Sequence, residues 1–68
     1  MTDVVWMGRD GTPITCRNKL RTLDENLTEA RQVLQDAYED AVLMGVDPQI
    51  IRVALATLTG QLREPGQG

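Results

Sequence analysis

The chain has 68 residues, 41% of them apolar, a formal charge of −3, one cysteine and no histidine. So short a chain makes one small domain whose core lies near the minimum for independent folding, and it has neither a disulfide framework nor a histidine-built metal site to supplement that core. The lack of histidine also removes the commonest general base, which weighs against an enzyme.

Oligomerisation is the remaining supplement, so a homodimer is expected. The opening residues do not read as a secretory leader, and no apolar run approaches the roughly 20 residues needed to span a bilayer. A soluble, cytoplasmic protein that makes no use of a membrane is expected. The lone Cys16 fits a reducing compartment and reads as a small, semi-buried hydrophobe where the first helix starts.

Residues 1–16 form an arm. The apolar run Val4-Val5-Trp6-Met7 and the shorter Ile14-Thr15-Cys16 flank Gly8-Arg9-Asp10-Gly11, and two extended runs around an Asp-Gly turn predict a β-hairpin or an extended segment. Pro13 cannot donate to a ladder, which confines the second run to an edge. The two glycines lack the spacing and the following lysine of a phosphate loop, so they read as a turn.

A long helix over 18–45 follows. Leu20, Leu23, Leu27, Ala30, Leu34, Ala37, Ala41 and Met44 recur in 3-4 steps, the pattern of a helix that packs along its length against another. Its start lies between Thr15 and Thr22: Thr22-Leu23-Asp24-Glu25 resembles a capping box, yet the stripe already begins at Leu20, which favours the earlier start. Gly45 marks the end, and Asp47-Pro48 supplies an N-cap and a first-turn proline for a second helix over 48–63. Ile51, Leu55, Leu58 and Leu62 give that helix a seam, while Ile50, Val53 and Ala54 make it apolar off the seam as well. Residues 65–68 read as a flexible tail.

About 26 residues of helix reach about 40 Å and about 16 reach about 24 Å, so the second helix cannot cover Leu20, Leu23 and Leu27. The arm or another copy must do so. Alanines at seam positions allow close helix approach, and the fold class that results is mainly α: residues 1–64 as one antiparallel helical hairpin with an N-terminal arm, dimerising into a four-helix bundle. The dimer interface is expected at Leu20, Leu23, Leu27, Ala30, Leu34, Ala37, Ile50, Ile51, Leu55 and Leu58.

Charge is unevenly spread. Arg9, Arg17, Lys19 and Arg21 outweigh Asp3 and Asp10 before residue 22, whereas Asp24, Glu25, Glu29, Asp36, Glu39, Asp40 and Asp47 face Arg31 alone in residues 22–47. An acidic helix face keeps a helix soluble and can serve as a platform for a basic partner. Asp36, Glu39 and Asp40 share helical spacing, but no oxygen-rich loop supplements them, so no metal or other cofactor is called for. Ala41, Gly45, Val46, Ile51 and Ala54 have helix-turn-helix spacing, yet the would-be recognition helix offers only Gln49, Arg52 and Thr57 beside an acidic neighbour, which disfavours nucleic acid.

Met44-Gly45-Val46 with Ala54-Leu55 and Thr57-x-x-Gly60 resembles the opening part of a ubiquitin-associated domain. The resemblance ends before that family's third helix and carries no function over. The expected function is that of a small, non-enzymatic regulatory or accessory protein that acts as a homodimer on an unidentified protein partner. Trp6, Arg17, Lys19, Arg21, Tyr38 and Glu39 are its candidate partner-binding residues. A DNA-binding regulator built on the turn at Gly45, and an accessory or metal-binding subunit of an enzyme, are the alternatives.

Overall fold

The computed structural model describes residues 4–66; the first three residues of the expected arm and the last two of the expected tail lie outside them. Two helices form, α1 over Arg17–Leu43 and α2 over Pro48–Gly60, and no strand forms among the described residues. The protein is mainly helical. Two compact units divide the chain, Met1–Val33 and Leu34–Gly68, with α1 running through both.

In the first unit the arm closes on a single antiparallel bridge between Met7 and Pro13. The Ile14 N–H donates to the Trp6 carbonyl at 2.7 Å, and the Gly8 N–H donates to the Thr12 carbonyl at 2.7 Å. Met7 and Pro13 are therefore a non-hydrogen-bonded pair, at which a ladder asks for no N–H. That placement is why a proline is tolerated opposite Met7. Between the two bonds Gly11 donates to the Gly8 carbonyl at 3.0 Å and takes φ +86°, as in three-residue loops that end on a left-handed glycine. Gly8 is needed for a different reason: a Cβ there would stand 2.9 Å from Asp10 Oδ1 and 3.2 Å from the Thr12 carbonyl oxygen.

Helix α1 begins at Arg17, with the Cys16 carbonyl accepting from the Leu20 N–H at 3.0 Å. Cys16 is exposed, which corrects its reading as a semi-buried hydrophobe. It directly precedes the first residue of α1, beside the Lys19 and Asn18 backbone N–H groups that lower its pKa.

In the second unit α1 ends at Leu43, two residues earlier than the spacing indicates. The Gly45 N–H donates to the Val42 carbonyl and the Val46 N–H to the Ala41 carbonyl, with Gly45 at φ +100°. These are the paired bonds of a Schellman motif, which place Gly45 outside the helix. Asp47 then caps α2, accepting from the Gln49 N–H at 2.7 Å, with Pro48 in the first turn. Helix α2 stops at Gly60, short of Arg63, as the Gln61 N–H turns back to the Leu58 carbonyl and the Leu62 N–H to the Thr59 carbonyl. The result is a helical hairpin whose half-buried residues are Leu34, Ala37, Tyr38 and Ala41 on α1 with Ile51 and Leu55 on α2.

Burial goes no further than that. No side chain among the described residues is fully buried.

Candidate functional site

The first unit presents an apolar groove beside a cluster of cations. Ile14, Asn18, Lys19, Thr22 and Leu23 line it, and Arg17, Lys19 and Arg21 are all exposed. Trp6 is half-buried and its indole Nε1 donates to Asp24 Oδ1 at 3.1 Å. A buried or half-buried indole N–H requires an acceptor, and here it ties the arm to the first turns of α1. Leu20, Leu23 and Leu27 are half-buried in this unit, whereas Ala30 is exposed.

Two titratable groups in the first unit depart from their ordinary behaviour. The Asp10 carboxylate accepts from the Thr12 backbone N–H at 3.1 Å and from Thr12 Oγ1 at 2.8 Å, and these bonds hold its pKa below the usual carboxylate range. The Cys16 thiol is lowered chiefly by the Lys19 N–H, against some desolvation, with help from the Asn18 N–H and the Lys19 charge. An exposed thiol at a helix start with cationic neighbours is the setting of a reactive cysteine.

The second unit carries the other expected residues. Tyr38 is half-buried rather than a free anchor: Arg52 Nη2 donates to its hydroxyl at 3.2 Å, and the guanidinium carbon lies 4.7 Å from its ring centroid. Cation–π attraction thus pins Arg52 across the hairpin. Glu39 is exposed and accepts from Gln35 Nε2 at 2.8 Å. Of the expected interface residues on α2, Ile51 and Leu55 face the hairpin, while Ile50 is 62% and Leu58 53% exposed. Val53, beside them, is 54% exposed.

Sequence reasoning missed Asp24 and Arg52 as the partners of Trp6 and Tyr38. The indole N–H signalled that some acceptor was needed, but nothing in the residue spacing named one. Among the described residues no group of three or more His, Cys, Asp and Glu side chains is arranged to hold a metal, and no described helix is long and apolar enough to cross a membrane. No family model matches this chain, and no curated protein or solved structure matches it either.

Two surfaces stand out among the described residues. One is the groove with its cationic border; the other is the outer side of α2.

Proposed function

We propose that this chain is a small, non-enzymatic regulatory or accessory protein that acts through protein–protein contacts as a helical homodimer, residues 1–64 forming the module. One observation carries the reading: none of the described side chains is fully buried, although several large apolar ones are ordered on helices. Ordering a residue costs about 1.5 kcal/mol, and apolar burial returns about 25 cal/mol per Å². A chain that withholds this much apolar surface from its own interior gains stability by covering it with another chain.

The second copy would cover exposed apolar positions such as Ile50 and Leu58 on α2. The groove at Ile14 and Leu23, with Arg17, Lys19 and Arg21 beside it, would then receive a protein partner with apolar and acidic side chains. DNA binding through the turn at Gly45 would require Arg52 to leave Tyr38, which removes its one charged contact from play. Sedimentation velocity of the full chain at micromolar concentration tests the reading. A dimer is expected, and a monomer would overturn it.

A further inference from the structure

We infer that the groove of the first unit docks an acidic, amphipathic segment of another protein, which seats an apolar side chain between Ile14 and Leu23 and sets its carboxylates over the start of α1. The inference rests on the protein–protein reading above and names the chemistry of the partner.

The groove joins an apolar floor to a border of one sign. Ile14 and Leu23 are half-buried and leave part of their side chains in it, between Asn18, Lys19 and Thr22, and no described carboxylate lines it. Arg17, Lys19 and Arg21 are all exposed. A neighbouring hollow on α1 has the reverse character, being lined by Asp24, Glu25, Thr28 and Glu29. Carboxylates are drawn to the first and repelled by the second. The docked segment therefore has a polarity: its acidic end lies toward Arg17, and its apolar anchor toward Leu23.

The cations also stand where helix stability disfavours them. The amino end of a helix carries partial positive charge, and basic side chains there oppose it. Helix α1 has no acidic residue in its first turn, and the first acid along it, Asp24, accepts from the Trp6 indole. Positions that break a local rule in this way are expected where a chain binds something. An incoming carboxylate meets both the cations and the helix end. Anionic lipid and nucleic acid fit less well. Basic clusters that hold lipid headgroups contain about 4–8 Lys and Arg, more than stand here, and Glu25 and Glu29 follow within the same helix. The chain's one indole is turned to Asp24 rather than offered to bases, and stacking on aromatics is what holds single strands.

The probe is a synthetic peptide in which glutamates flank two leucines one helical turn apart, titrated into the isotope-labelled full chain and followed by amide NMR shifts. Saturable shifts are expected around Ile14 to Leu23, weakening as salt rises. Replacing the glutamates by lysine, or the leucines by serine, should weaken binding on the order of tenfold. The deciding variant is Arg17→Glu with Lys19→Glu. It puts acids where the helix end favours them, so it is expected to melt no lower than the parent, while its dissociation constant for the peptide rises on the order of tenfold or more. No saturable shift up to about 1 mM peptide, equal binding of the lysine peptide, or undiminished binding by the double variant overturns the inference. A stronger response to phosphatidylserine vesicles than to the peptide also overturns it, in favour of a membrane. A dimeric parent whose double variant sediments as a monomer gives the groove to the acidic stretch of a second copy, around Asp36, Glu39 and Asp40, and overturns it likewise. The homodimer is judged separately by sedimentation of the parent: a dimer that ignores the peptide keeps the homodimer and loses this inference, and a monomer that binds it does the opposite.

Discussion

Single side chains in this molecule do work that their sequence neighbours do not announce. Trp6 and Asp24 are 18 positions apart, and their bond closes the arm onto α1. Cys16 stands at the start of α1, where the Lys19 and Asn18 backbone N–H groups and the Lys19 charge lower its pKa. Those groups favour the thiolate, so the folded-state pKa lies below that of the unfolded chain. The sign of the linkage follows: whatever stability the interaction adds is present above the unfolded pKa and is lost as pH falls through the folded one. Alkylation of Cys16 by iodoacetamide should therefore reach half its maximal rate at a lower pH in the native chain than in the urea-unfolded chain, since the thiolate is the nucleophile. An equal or higher native midpoint would mean that the start of α1 does not stabilise the thiolate.

Elements follow local rules here more closely than they follow global ones. The turn between α1 and α2 is fixed by Gly45 at φ +100° and by Asp47 with Pro48. A Cβ at Gly45 would meet nothing within 4 Å, so Gly45→Ala is burdened by the left-handed backbone alone. That conformation costs an L-residue roughly 1–2 kcal/mol, which for a domain this small lowers the melting temperature by about 4–8 °C per kcal/mol. Circular-dichroism melts at one fixed protein concentration would measure it, and Gly45→Asn should suffer less because asparagine tolerates the same region. Both helices, the apolar stripe on α1, and the glycine and aspartate at the turn were legible because each is written in spacing or cap chemistry within a few residues. What stayed hidden depends on which residues lie opposite. Pro13 seemed an obstacle to pairing until the register put it opposite Met7, where no donor is required. Tyr38, a plausible exposed anchor on a helix wheel, is occupied by Arg52 from 14 positions on. Ala30 keeps the stripe's rhythm and yet is exposed, because periodicity identifies a face without saying how far along it a neighbour extends.

At the scale of the whole molecule, the apolar side chains left exposed connect stability to concentration. If folding and association are one step, the dimer melts to two unfolded chains and mass action raises the melting temperature with protein concentration. A tenfold increase in concentration adds about 1.4 kcal/mol to the free energy of unfolding a dimer. With an unfolding entropy of about 2.1 cal/mol/K per residue over two chains of this length, that amounts to a rise of about 5 °C. Melts from a few micromolar to a few hundred micromolar should thus shift upward together, at constant cooperativity. Val53→Glu, which sets a charge at an exposed apolar position of α2, should on the proposed homodimer melt lower at every concentration while keeping a similar slope against the logarithm of concentration. A melting temperature independent of concentration across that range would show that one copy alone supplies the stability, and that the exposed apolar side chains of α2 are left in water without needing a twin.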